Sequence, residues 1–247
     1  MSLSTFFYLY REQWAELMQA CTRSSISRMD ASLSRTWSLC YSIVKKTDPR
    51  ASNLLLLWSH LHEGSLWYGL LAPLMKKSRL VDGVTVRLGG IAGDELEFAN
   101  AIQTLRQHSL VTADRGERGA KLHPVVHRWA LSIQDTTLRT SLSVLALMVV
   151  GSCVQTQYAH SSSETQDCLR CHADQCLERS ESLWSHYKHR CLDRDDEDFW
   201  VPLQSFFSLR RVFDRPGEDI KARFIVTQAL QLYEDITDRF EPLTRVK

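Results

Sequence analysis

The chain has 247 residues, of which 44% are hydrophobic and 24% are charged, and these values exclude wholesale disorder. This length fits one or two domains. Lys and Arg number 30 against 29 Asp and Glu, so the formal net charge of +1 excludes a general binder of polyanions.

Cysteine usage and the N-terminal residues predict an intracellular protein. The seven cysteines are odd in number and irregularly spaced, and the first 25 residues lack the pattern of a secretory signal. The longest apolar stretch, residues 142–154, is shorter than the roughly 20 residues that span a bilayer. We therefore expect a cytoplasmic protein in which residues 142–154 form a buried helix.

Helical periodicity dominates the first third of the chain, where apolar side chains recur at three- and four-residue steps. Two such stripes comprise Phe7, Tyr10, Trp14, Leu17 and Cys21, and then Leu33, Trp37, Tyr41 and Val44. The polar residues 24–32 between them predict a linker. Residues 51–61 and 66–75 are strongly apolar, and each predicts a further helix.

Residues 82–134 predict a loop, a helix, a hairpin and a second helix. The loop is the glycine-rich segment 82–93, and Asp94 can then cap a helix that carries Phe98, Ile102 and Leu105. Residues 110–113 and 120–123 flank a charged, glycine-containing turn and predict two paired strands. Pro124 suits the first turn of the next helix. This order is typical of a winged-helix unit over residues 94–134.

The rest of the chain is helical in pattern. Residues 136–154 and 164–190 predict two helices, an acidic break follows at 193–198, and the segments 199–213 and 218–240 predict a helix pair. The predicted fold class is mostly α: a helical bundle and a winged-helix unit with one β-hairpin, followed by an α-hairpin region.

Five segments, at residues 8–17, 36–57, 98–111, 122–129 and 169–177, match one family. The chain resembles the C-terminal part of a fungal NB-ARC-type STAND NTPase, running into a tetratricopeptide (TPR) region. The resemblance divides the chain into four parts. Residues 1–30 correspond to the terminal helix and linker of a missing nucleotide-binding domain, and residues 31–93 correspond to a helical domain. Residues 94–134 correspond to the winged helix, and residues 135–247 to a helical region that runs into a TPR-like hairpin.

The resemblance implies a part of an ATP- or GTP-dependent switch. The phosphate-binding motif G-x-x-x-x-G-K-[ST] does not occur in the sequence. We therefore predict no catalytic residues, no cofactor and no enzymatic activity. Family members carry a Met-His-Asp or Met-His motif whose histidine touches the bound diphosphate, and Leu122-His123-Pro124 occupies that place here. His123 is accordingly predicted to be a vestigial nucleotide-sensing residue or a structural one.

The last helix pair can be compared with TPR spacing. With Gly217 as the turn glycine, the apolar positions of the first helix are Phe206, Leu209 and Phe213, and the small-residue positions of the second are Ala222 and Ala229. Only one repeat is present, whereas at least three are normally needed. An ordinary helical hairpin therefore stays an equal alternative.

One cysteine and histidine cluster has the spacing of a ligand set, with members Cys168, Cys171, His172 and Cys176. Its C-x-x-C-H string matches a haem attachment motif, which requires an exported protein. On one helix, Cys168 and Cys176 are eight residues or about 12 Å apart, which is too far for both to bind one zinc ion. A zinc site would therefore need ligands from elsewhere, such as Cys191 or His189. We expect no metal site.

Three interpretations of function follow. The first is a non-catalytic protein-interaction fragment of a STAND switch, whose partner is a protein such as the nucleotide-binding domain of a relative. The second is a winged-helix protein that binds nucleic acid, which the acidic start of the helix after Asp94 disfavours. The third is a gene-model fragment without an independent function.

Overall fold

The computed structural model describes residues 27–64, 66–75, 88, 90–113, 119–180, 183–184 and 197–244. Within these residues the fold is mostly α-helical with one small antiparallel sheet, which confirms the predicted fold class. Four predicted features lie wholly or mainly outside the described residues: the helix at 7–21, the loop at 82–93, the turn of the hairpin, and the acidic break with the extra zinc ligands Cys191 and His189.

The first two helices meet at Asp48. Helix α1 spans Ser27–Thr47 and helix α2 spans Pro49–Trp58, and the Asp48 carboxylate accepts hydrogen bonds from the backbone N–H groups of Arg50 and Ala51, both at 3.1 Å. The predicted linker at 24–32 is wrong from Ser27 onward, because α1 already begins there. No Gly or Pro interrupts the helical pattern in this segment.

A three-stranded sheet follows, and one of its strands was not expected. Strand β1 (Leu66–Trp67) precedes helix α3 (Tyr68–Met75), so the prediction of one helix over 66–75 is wrong at its start. Helix α4 spans Glu95–Gln107, and strands β2 (Val111–Ala113) and β3 (Gly119–Leu122) form the predicted hairpin. The strand order is β1-β3-β2, with all pairs antiparallel.

Gly119 allows β1 to join the hairpin. It pairs with Trp67, and a Cβ atom at position 119 would lie 2.7 Å from the carbonyl oxygen of Leu66. Any larger residue would therefore push the two strands apart. The predicted helical domain ends at residue 93 and the predicted winged helix begins at residue 94. Through this pairing, one sheet contains strands from both of these parts.

The helices on either side of the hairpin begin as predicted, with Asp94 as the cap of the first and Pro124 in the first turn of the second. The Asp94 carboxylate accepts from the backbone N–H of Leu96 at 2.7 Å, and α4 buries Phe98, Ile102 and Leu105 as expected. Helix α5 spans Pro124–Ser132, with Pro124 in its first turn.

Four long helices lie in the described residues of the C-terminal part: α6 (Thr136–Gln157), α7 (Ser163–Glu178), α8 (Glu197–Ser208) and α9 (Asp219–Thr244). The predicted single helix at 164–190 is interrupted, because α7 ends at Glu178; Ser180, Leu183 and Trp184 beyond it are again helical. The predicted helix at 199–213 changes to a 3-10 turn at Leu209–Val212. The turn at Pro216–Gly217 is confirmed, and Gly217 has a φ of +90°. Phe206, Leu209, Phe213 and Ala229 are buried and Ala222 is half-buried.

Helix α6 is the central helix of this part. Among the described residues, Thr136–His160 is the one segment long and apolar enough to cross a membrane; an 18-residue window within it has a mean hydropathy of 1.6, and 61% of that window is buried in the fold. The prediction of a buried helix at 142–154 is confirmed. Gly151 packs so closely against α8 that a Cβ atom there would lie 2.6 Å from the backbone oxygen of Ser205.

Candidate functional site at the two ends of helix α5

The predicted site residue His123 immediately follows β3 and caps α5. Its ring is exposed, and Nδ1 accepts a hydrogen bond from the backbone N–H of Val125 at 3.3 Å. In the neutral ring the proton therefore resides on Nε2, which becomes a hydrogen-bond donor. An exposed donor at a helix N-terminus suits an anionic ligand such as a phosphate oxygen.

His127 lies one turn further along α5 and is buried. Its Nε2 lies 2.8 Å from the carbonyl oxygen of Leu61, so Nε2 carries the proton and donates it. Burial lowers the pKa of His127 to about 4, although the hydrogen bond to Leu61 acts in the opposite direction. At neutral pH this ring is uncharged and fixes the chain after α2 against α5.

A second buried histidine, His60, connects three helices. Its Nε2 donates to the side-chain oxygen of Gln134 at 2.7 Å, and its Nδ1 accepts from the Ser143 hydroxyl at 2.8 Å. Burial lowers the pKa of His60 to about 3, with a smaller opposing effect from the hydrogen bond to Gln134. Both ring nitrogens are therefore engaged, and the ring is neutral.

Gln134 completes this arrangement just after the end of α5. Its amide nitrogen donates to the Ser59 hydroxyl at 2.9 Å and to the carbonyl oxygen of Ala130 at 2.8 Å. Arg179, at the end of α7, donates to the carbonyl oxygen of Ser59 at 3.0 Å. We call His60, His127, Gln134, Ser143 and Arg179 the polar junction, because together they tie the end of α2 to α5, α6 and α7.

The cysteine and histidine cluster lies on α7. His172 and Cys176 are buried while Cys168 and Cys171 are half-buried, and Nδ1 of His172 accepts from the backbone N–H of His62 at 3.1 Å. The part of the chain that the structure describes contains no group of three His, Cys, Asp or Glu residues placed to hold a metal ion.

Three cysteine side chains are shielded from solvent, Cys153 and Cys176 fully and Cys171 in part. Burial raises the pKa of Cys153 and of Cys176 to about 12, and it raises the pKa of Cys171 as well. Burial therefore favours the neutral thiol form of these three side chains at neutral pH.

The polar junction was not predicted from the sequence. Gln134 and Ser143 lie 74 and 83 positions after His60, and no local spacing links them to it. The only available signal was a polar residue in an apolar segment: His60 directly follows the apolar stretch of α2. Comparison of the chain with protein-family models, with curated proteins and with solved structures finds no match.

Proposed function

We propose that the chain is a non-catalytic regulatory fragment that binds a protein partner and resembles the C-terminal half of a STAND switch. The observation that carries this proposal is the order α2, β1, α3, α4, β2, β3 together with the sheet order β1-β3-β2. A winged helix arranges three helices and three strands in this order. The proposed winged helix therefore spans residues 49–134, which is longer than the 94–134 expected from the sequence.

The position of His123 supports the same proposal. In the family that the chain resembles, the corresponding histidine touches the diphosphate held by the nucleotide-binding domain. Here His123 lies just after the last strand of the sheet, is exposed, and has a donor on Nε2. We propose that it meets the phosphate of a nucleotide held by a partner, since this sequence contains no P-loop of its own.

Exposed apolar side chains mark where such a partner would pack. Leu39 and Ile43 are one turn apart on α1 and are 62% and 40% exposed. On the other side, α1 packs on α5, where Tyr41 and Trp129 meet edge to face with ring centroids 5.8 Å apart. The outer face of α1 is therefore the proposed surface for a nucleotide-binding domain.

The alternative of nucleic-acid binding receives no support from α4, the helix that would enter a groove. Its first turn carries Glu95 and Glu97, and the last turn carries Arg106. Glu97 is paired with Arg50, which reduces the positive charge nearby. This face lacks the cluster of Lys and Arg that phosphate contacts need. The TPR-like character of the last helix pair and the cytoplasmic location stay predictions.

The proposal is tested by mixing the chain with the nucleotide-binding domain of an NB-ARC-type protein, truncated before its own winged helix. We expect a stable complex in size-exclusion chromatography. The double variant Leu39→Glu, Ile43→Glu should weaken it at least about tenfold, because two charges would be buried against the partner. Ile220→Glu, a control at an exposed position on α9, should leave the complex unchanged.

Two further measurements would contradict the proposal. Stoichiometric binding of ATP or ADP by the chain alone would show a phosphate site of its own. Binding of random duplex DNA, with affinity that falls steeply as salt rises, would favour the nucleic-acid alternative. The absence of any complex with the nucleotide-binding domain would count equally against it.

A further inference from the structure

The outer side of helix α1 carries apolar side chains that the described residues leave exposed. Leu39 and Ile43 are 62% and 40% exposed and lie one turn apart. The exposed Arg35 lies one turn before Leu39 on the same side of the helix. On the opposite side, Trp37 packs against Trp129 of α5, with ring centroids 6.4 Å apart. We call Arg35, Leu39 and Ile43 the outer face of α1.

The segment that precedes α1 in the chain carries a matching apolar stripe. Residues 1–26 lie outside the described residues, and α1 begins directly after them at Ser27. Four apolar residues of this segment recur at alternating three- and four-residue steps, which predicts a helix with one apolar side: Phe7, Tyr10, Trp14 and Leu17. Such a helix needs an apolar surface to bury this side, and the outer face of α1 is the first one after it in the chain.

The length of the segment suits an antiparallel helical hairpin. The predicted helix at 7–21 would be about 22 Å long, and α1 extends about 24 Å from Ser27 to Ile43. Residues 22–26 connect the two helices, and helical hairpins have loops of about two to five residues. A short connection gives an effective concentration on the order of millimolar. Binding within one chain is therefore favoured over binding of a second copy at micromolar concentration.

The spacing of the two stripes fits the same arrangement. With the turn centred at residues 24 and 25, Tyr10 lies level with Leu39, and Phe7 lies level with Ile43. Trp14 then lies beside Arg35, whose guanidinium can stack on an indole ring. Apolar steps of three and four residues are those by which antiparallel helices pack side by side. The two stripes therefore match in length, in spacing and in chemistry.

We propose that residues 7–21 bind the outer face of α1 in the same chain, as an antiparallel helix in which Tyr10 packs on Leu39 and Phe7 packs on Ile43. The segment then occupies the face that the proposed function assigns to a nucleotide-binding domain. Such a partner has to displace it, so its apparent affinity is reduced in proportion to the fraction of chains in which the face is free. Only this competition rests on the proposed function.

Disulfide trapping in the full chain tests the contact between the segment and α1. All variants carry Cys21→Ser and Cys40→Ser, which remove the two native thiols nearest to the contact in the sequence. Tyr10→Cys with Leu39→Cys should form an intrachain disulfide under mild oxidation, because a disulfide requires Cα atoms within about 7 Å. Tyr10→Cys with Lys45→Cys is the matched control, since Lys45 is exposed on another side of the same helix.

We expect the pair at 10 and 39 to give a yield about tenfold above that of the control pair, because only the first pair lies within disulfide distance. Equal yields would overturn the proposal, because an unbound segment would reach both positions alike. A disulfide that joins two chains would also overturn it, in favour of a second copy. Peptide mapping by mass spectrometry distinguishes these outcomes.

The affinity for the separate nucleotide-binding domain tests the competition. Tyr10→Glu should strengthen the complex about tenfold, because a charge at this position opposes burial of the segment on α1. Gln19→Glu places the same charge on the other side of the predicted helix and should leave the affinity unchanged. An unchanged affinity for Tyr10→Glu would contradict the competition. If no variant forms a complex, the proposed function fails, and the disulfide yields alone decide whether residues 7–21 bind α1.

Discussion

His123 caps α5 and His127 lies one turn into it, and the surroundings of the two rings are opposite. His123 is exposed and uses one ring nitrogen to cap the helix, so its other nitrogen is available to a ligand. His127 is buried and donates to a backbone carbonyl. The same side chain can thus serve binding at one position and packing at the other, and the difference in burial decides which.

The comparison extends to the two ends of the helix. The N-terminal end of α5 faces solvent directly after the sheet. The C-terminal end leads to Gln134 and the polar junction, which holds α2, α6 and α7. Changes at the junction should therefore lower stability, and changes at His123 should affect binding with little loss of stability.

The largest expected effect is that of Gln134→Leu. The substitution removes the amide that joins His60, Ser59 and the carbonyl oxygen of Ala130, and it leaves the buried His60 ring without its acceptor. We expect the free energy of unfolding to fall by about 2–4 kcal/mol. Urea denaturation measures this loss. Gln103→Leu, at an exposed position of α4, should change the stability by less than about 0.5 kcal/mol.

A second prediction concerns acid. His60 and His127 have folded-state pKa values lowered to about 3 and about 4, whereas in the unfolded chain they take up a proton near pH 6.5. The unfolded state therefore binds more protons, and stability falls as the pH drops below about 6.5. Between pH 6.5 and 5 each of the two residues can lower the free energy of unfolding by up to about 1.4 kcal/mol per unit of pH decrease.

Denaturation at several pH values in this range verifies the prediction. In the variant His60→Gln, the dependence of the unfolding free energy on pH should be shallower than in the wild type, whatever its absolute stability. An equal dependence in the two proteins would show that His60 does not stay neutral in the folded state.

The smallest expected effect on stability is that of His123→Ala. The variant loses one exposed hydrogen bond of 3.3 Å to the backbone N–H of Val125. We expect a loss of about 0.5 kcal/mol, as is common for a weak helix cap. A loss as large as that of Gln134→Leu would remove the distinction between the two ends of α5.

The sequence predicts those parts of the fold that depend on local signals. Asp94 caps its helix, as predicted, because its carboxylate reaches the N–H groups two and three residues ahead, and the hairpin follows from two short strands around a turn. His123 was selected by its position within a motif, and its role stays a prediction.

Contacts between distant segments could not be predicted in this way. The two residues of β1 carry no periodic signal, and their strand conformation depends on the close approach that Gly119 allows. The polar junction likewise forms only once α2, α5 and α6 pack together. The limit of α7 at Glu178 was missed because the helical pattern continues beyond it.

The central claim is that the chain supplies the winged helix and the phosphate-facing histidine to a nucleotide-binding domain that lacks them. The most direct test is the affinity of that separate domain for ADP, measured by titration calorimetry with and without this chain. We predict that the wild-type chain tightens ADP binding and that His123→Ala largely abolishes this gain while the complex still forms. An ADP affinity that is the same with the wild-type chain, with His123→Ala and with no added chain would contradict the claim.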